Sequence, residues 1–176
     1  MAFAVNLRSD DASADSIRLL WETCGALEAS PSMVAMQYPP HITLAIYDEI
    51  STGNLFAGLS ATVKHLSTMT IRFESLGYFE APYGIVLWAA PSVPQQVINA
   101  HESLHMELGV EPCRENYRPG IWVPHCSLAT DIDFSRKDDA IGIVEQGIEP
   151  FEVTFDTADC ASFMPVRVLK EVKLEP

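Results

Sequence analysis

Residues 40–45 read Pro-His-Ile-Thr-Leu-Ala, and residues 124–129 read Pro-His-Cys-Ser-Leu-Ala. Four positions are identical, and a fifth exchanges one small hydroxyl residue for another. The copies lie 84 residues apart in a chain of 176. A phrase repeated at half-chain spacing points to a fold that uses one local structure twice. Each copy places a His and a hydroxyl at i and i+2, which share one face of a β-strand. Two such strands beside one cleft supply two imidazoles and two hydroxyls. That set suits proton transfer at a phosphate ester.

The pattern around the motifs supports duplication. A short apolar run over 3–8 reads as a strand. Ile17, Leu20, Trp21, Cys24 and Leu27 mark one face of a helix over 11–27. The first motif strand is expected over 38–47, a helix over 51–66 and a strand over 68–79. The order then recurs: strand 84–90, helix 93–108, motif strand 122–130, helix 135–146, strand 151–160. A last strand over 166–174 has no counterpart. The expectation is one domain over 1–176, with pseudo-symmetric units at about 2–80 and 84–161. The turn-rich stretch 111–120 is expected to form a mobile wall of the cleft.

Charge narrows the partners. The net charge is −13, with eleven Lys and Arg scattered along the chain. A long duplex needs clustered cations and is a poor partner. A small nucleotide or an RNA end fits better. Apolar residues make up 48% of the chain, enough for a globular core. The longest apolar run, near 85–90, is too short to span a bilayer. The N-terminus lacks the basic and apolar regions of a signal peptide. Cys24, Cys113, Cys126 and Cys160 show no CxxC spacing and are expected as free thiols in the cytoplasm.

The paired motifs suggest a mechanism that needs no metal or cofactor. One neutral imidazole, of His41 or His125, takes a proton from the attacking group. The other, protonated, gives one to the leaving oxygen. The hydroxyls of Thr43 and Ser127 donate to phosphate oxygens as charge shifts. Leu44, Ala45, Leu128 and Ala129 are expected to pack the core behind them. A single His at a strand start is usually structural; the second copy at a matching position favours function.

The tetrapeptides His41-Ile42-Thr43-Leu44 and His125-Cys126-Ser127-Leu128 resemble the signature of the two-histidine phosphoesterase superfamily, which includes LigT-like 2'-5' RNA ligase proteins and cyclic phosphodiesterases. The resemblance covers nearly the whole chain in length and element order. It implies a bilobal α+β fold, with two antiparallel sheets flanked by helices around a central groove. It also implies metal-independent chemistry on 2',3'-cyclic phosphates or 2'-5' linkages. Carried over, His41 and His125 are the acid/base pair, and Thr43 and Ser127 contact phosphate. Arg118 is a candidate phosphate or ribose contact, and Tyr117 and Trp122 are candidates for stacking on a base.

Two other readings compete. His101-Glu102-Ser103-Leu104-His105 matches H-E-x-x-H, the core of a zinc peptidase site. No extended zincin signature completes it. His101 also falls on the apolar stripe of its helix with Val97, Leu104 and Leu108, which points Glu102 to solvent. The third reading is a catalytically silent nucleotide- or RNA-binding module on the same fold.

Overall fold

A computed structural model describes all 176 residues. The chain forms β1 (Ala2–Ser9), α1 (Asp15–Gly25), a short α2 (Ser32–Ala35), β2 (His41–Tyr47), α3 (Thr52–Val63), β3 (Met69–Ala81) and β4 (Gly84–Pro91). It continues with α4 (Gln95–Leu108), β5 (Cys126–Ile132), α5 (Lys137–Gln146), β6 (Phe151–Phe163) and β7 (Arg167–Lys173). Single 3-10 turns occupy Glu115–Tyr117 and Phe134–Arg136.

All strand pairs are antiparallel, in the order β1-β2-β5-β4-β3-β6-β7. β1 also pairs with β6, so six strands close on themselves and β7 continues from β6. This is the expected α+β architecture of antiparallel strands flanked by helices. The two expected sheets are joined through β6. Its residues Phe151–Phe155 pair with β3, and Phe155–Phe163 pair with β1. β3 likewise gives Met69–Phe73 to β6 and Phe73–Ala81 to β4. The motif strands β2 and β5 meet at the centre.

Helices cover the sheet where its apolar face needs burial. α1 and α2 pack on β5, α5 on β3 and β4, and α3 on α4 and β6. Leu44, Ala45, Leu128 and Ala129 are completely buried, as their strand positions require. No helix is long and apolar enough to cross a membrane. All four cysteines are free and buried.

Several element ends differ from the expectation, for local reasons. Pro39, Pro40 and Pro124 lack an N–H and cannot join a ladder, so β2 starts at His41 and β5 at Cys126. The segment from Trp122 instead closes a turn, with the Trp122 N–H donating to the Arg118 carbonyl at 2.9 Å. α1 starts at Asp15 rather than Asp11. The Asp10 carboxylate draws the Ser13 N–H at 2.8 Å and holds the intervening residues in a turn. Asp133 does the same to Ser135 and delays α5. The short α2 has too few residues to show periodicity.

Candidate active site

Ile42 and Cys126, the residues after each motif histidine, are paired across β2 and β5. Both are buried on the core side. Continuing that antiparallel register sets His41 opposite Ser127 and Thr43 opposite His125, all on the other face. The two histidines flank that pair, close enough for the charge of His125 to act on His41. His41, Thr43, His125 and Ser127 are half-buried on that face.

Each motif is held in the same way. His41 Nδ1 bonds the Pro39 carbonyl at 2.9 Å, and His125 Nδ1 bonds the Val123 carbonyl at 2.8 Å. A carbonyl only accepts, so both Nδ1 atoms carry the proton. Each neutral ring then presents Nε2 as its basic atom. An aromatic edge or face stands against each ring: Tyr38 at 4.9 Å from His41, and Phe79 at 5.2 Å from His125. The Trp21 indole N–H donates to the Ser127 carbonyl at 3.0 Å, and the Trp122 indole N–H to the Thr43 carbonyl at 3.1 Å. Thus each motif strand is held at the same backbone position by a tryptophan.

Behind the first motif lies a polar network with no equivalent behind the second. On β1, Arg8 stands opposite His41 and Asn6 opposite Thr43. The Thr43 hydroxyl donates to Asn6 Oδ1 at 2.9 Å, and the Asn6 amide donates to Asp159 at 3.2 Å. Asp159, on β6, is completely buried. It also accepts from the Tyr38 hydroxyl at 2.7 Å and pairs with Arg8 at 3.2 Å. Burial pushes the Asp159 carboxyl up, against the pull of Tyr38, Arg8 and Asn6. The second motif rests on aromatic rings instead. Trp88 of β4 pairs with Ser127 and stacks on Phe79 at 4.9 Å. Gly77 makes room for it: a Cβ there would lie 2.3 Å from the Trp88 ring.

These surroundings depress both histidines. Burial lowers His41 to about 4, with help from the positive charges of His125 and Arg8. Burial also lowers His125. A cavity of about 830 Å³ opens beside His125 and Ser127, walled by Tyr78, Tyr83, Asn116 and Tyr117. The 111–120 stretch thus forms one wall. A second hollow, of about 400 Å³, is lined by Trp21, Tyr38, Pro39 and Pro40.

A family model for the 2'-5' RNA ligase superfamily matches residues 10–163. The chain belongs to that superfamily, the LigT-like two-histidine phosphoesterases. No curated protein matches it by sequence. Among solved structures it is similar to E. coli LigT complexed with NADP+, at 17% identity over 99% of this chain and 98% of that one, TM-score 0.61. E. coli LigT complexed with 3'-AMP matches at 16% identity over 98% and 96%, TM-score 0.61. A Thermus thermophilus protein, TT0787, matches at 14% identity over 99% and 98%, TM-score 0.58. At these identities the likenesses show the fold.

Among the loop residues of this LigT-like chain, Tyr117 lines the cavity. Arg118 turns back into its own loop, donating to the Cys113 carbonyl at 2.9 Å and the Glu111 carbonyl at 2.8 Å. Trp122 lays its ring flat on His101 at 4.1 Å, so that face is already occupied. The sequence reading missed Asn6, Tyr38, Phe79, Tyr83, Trp88 and Asp159. Each sits on a strand or turn whose relation to the motifs exists only after folding. Asn6 left one trace, as a polar residue inside the apolar run Phe3–Leu7.

The zinc-peptidase reading does not survive in this superfamily member. His101 and His105 are buried, and both Nε2 atoms bond the Tyr117 carbonyl, at 2.8 and 3.0 Å. No third His, Cys, Asp or Glu joins them in a group that could hold a metal. Glu102 is exposed on the opposite side of the helix. The two histidines instead tie α4 to the cleft-wall loop.

Proposed function

We propose that the protein is a metal-independent phosphoesterase acting on a 2',3'-cyclic phosphate or a 2'-5' phosphodiester of nucleotides or RNA ends. One observation carries this reading. Two histidines on adjacent motif strands each have Nδ1 tied to a backbone carbonyl, and neither Nε2 has a hydrogen-bond partner within the protein.

In hydrolysis of a cyclic phosphate, His41 is the base. Its surroundings keep it neutral down to about 4. Nε2 takes a proton from water as the water oxygen bonds to phosphorus. The bond from phosphorus to one ribose oxygen breaks, and protonated His125 gives that oxygen its Nε2 proton. The two rings exchange roles for the reverse, bond-forming direction.

The hydroxyls are not equivalent. Ser127 has no side-chain partner within the protein, so its O–H is available to a non-bridging oxygen. The Thr43 O–H is given to Asn6. Thr43 reaches phosphate by rotating that proton away from Asn6. The complex of LigT with 3'-AMP supports a small nucleotide ligand. Tyr117 belongs to the base-binding wall in this reading. Arg118 and Trp122 act on it from behind. The domain is taken as two lobes related by a pseudo-two-fold through the Ile42–Cys126 pair. A cytoplasmic location accords with four free, buried thiols.

The test is turnover of 2',3'-cyclic nucleotides and 2'-5'-linked dinucleotides with and without a chelator. Turnover that resists chelation and is lost in His41→Ala and His125→Ala supports the proposal. Binding with no turnover by the unmodified protein would favour the silent binding module.

A further inference from the structure

The charges around the cleft limit what its substrate can carry. Arg114 is the one cation lining the cavity beside His125. Asp48 holds its Nε through both carboxylate oxygens at 3.1 Å. Glu80, also in the lining, pairs with Lys137 at 2.6 Å. The smaller hollow follows the same rule. Its cation, Arg18, pairs with Asp11 and Asp15, and Glu22 adds an unpaired charge to the lining. Arg8, behind His41, is matched by Asp159 and Glu171. Every cation flanking the motifs is therefore already met by a carboxylate, within a protein of net charge −13.

The remaining wall is aromatic and neutral. Tyr83 is 68% exposed and stands with Tyr78 and Tyr117 on the cavity rim. Such rings suit stacking with a nucleobase, which carries no charge. At the motifs, one phosphate meets two hydroxyls and a protonated imidazole. A second phosphate finds no unpaired Lys or Arg on these walls, because Arg114, Arg8 and Arg18 are each already held by carboxylates.

We infer that the site selects a substrate with a single phosphate, a mononucleoside 2',3'-cyclic phosphate, over 5'-phosphorylated or oligomeric RNA ends. This rests on the phosphoesterase reading above. Each added phosphate lowers kcat/KM through repulsion. Salt screens that repulsion, with a Debye length of about 10 Å at 0.1 M. The rate on a polyanionic substrate therefore rises with salt. The usual protein–nucleic acid salt dependence has the opposite sign.

The experiment compares adenosine 2',3'-cyclic phosphate, its 5'-phosphorylated form and a trinucleotide ending in a cyclic phosphate. Each is assayed at about 20 mM and about 300 mM salt. The expected kcat/KM falls several-fold per added phosphate at low salt, and the gap narrows at high salt. Asp48→Asn, which releases Arg114, also narrows it. Faster turnover of the phosphorylated or longer substrate at low salt would overturn the inference, as would rates that fall with salt. Calorimetry on His41→Ala with 3'-AMP and adenosine 3',5'-bisphosphate separates this from the chemistry. Tighter binding of 3'-AMP supports the inference even if no substrate turns over, and then only the catalytic reading fails. Tighter binding of the bisphosphate overturns it.

Discussion

Ile42 and Cys126 hold the same place in two copies of one phrase and face each other across the seam between β2 and β5. That pairing turns a repeat in the text into a site. It aims both apolar residues into the core and leaves both histidines and both hydroxyls on the opposite face. The indoles of Trp21 and Trp122 then hold the strands at equivalent carbonyls. Trp21→Phe and Trp122→Phe should each keep an aromatic ring but lose one hydrogen bond and part of the indole's packing. The expected cost is at least about 1 kcal/mol of stability per variant in urea unfolding, with a lower kcat. Stability and kcat both unchanged would show that the bonds do not hold the motifs.

The buried carboxylate behind the first motif carries more weight than the surface pairs. Asp159→Ala removes the acceptor of Tyr38 and Asn6 and one partner of Arg8. It should cost about 3 kcal/mol. Asp139→Ala breaks the exposed pair with Arg136 and should cost under about 1 kcal/mol. Thermal unfolding of the two variants checks the contrast. Similar losses would contradict the placement of Asp159.

Activity should favour acid. kcat/KM reports groups of the free enzyme. His41, the proposed base, is neutral above about 4. His125, the proposed acid, gives up its proton at a pH below the ordinary 6.5. A bell with its acid limb near pH 4 and its alkaline limb below pH 6.5 is expected for a cyclic nucleotide substrate. A plateau that extends past pH 8 would rule out this division of roles.

Stability should fall in the same range for a different reason. Burial lowers His101 to about 4 and also lowers His105, both against the Tyr117 carbonyl. Unfolded histidine takes a proton near 6.5, while the folded ring stays neutral. Stability is therefore fully present above pH 6.5 and lost as pH falls towards 4. The loss from His101 is on the order of 3 kcal/mol. Urea unfolding of His101→Gln should show a shallower fall across that window. Parallel curves would mean that His101 titrates normally in the folded protein.

The sequence was most informative where the motif repeats. The motif strands, the buried Leu and Ala pairs and the order of elements follow from period and punctuation. The reading also separated the buried His101 from a metal site, since the helical stripe already pointed Glu102 outward. Three things were not visible. Proline exclusion from the ladders shortened both motif strands. Arg118 and Trp122 carry the right chemistry for binding, but backbone carbonyls and a histidine ring claim them first. Asn6 on β1, Tyr38 in the loop before β2 and Asp159 on β6 are distant in sequence and meet only when β1 lies between β2 and β6.

The central claim is that two imidazoles, without a metal, perform the proton transfers. Its most direct test is kcat on a 2',3'-cyclic nucleotide for the unmodified protein, His41→Ala and His125→Ala, each with EDTA present. Full activity is expected for the unmodified protein, and a loss of about 10²–10⁴-fold in each variant. Activity abolished by EDTA and restored by a divalent metal, or retained in either variant, would contradict it.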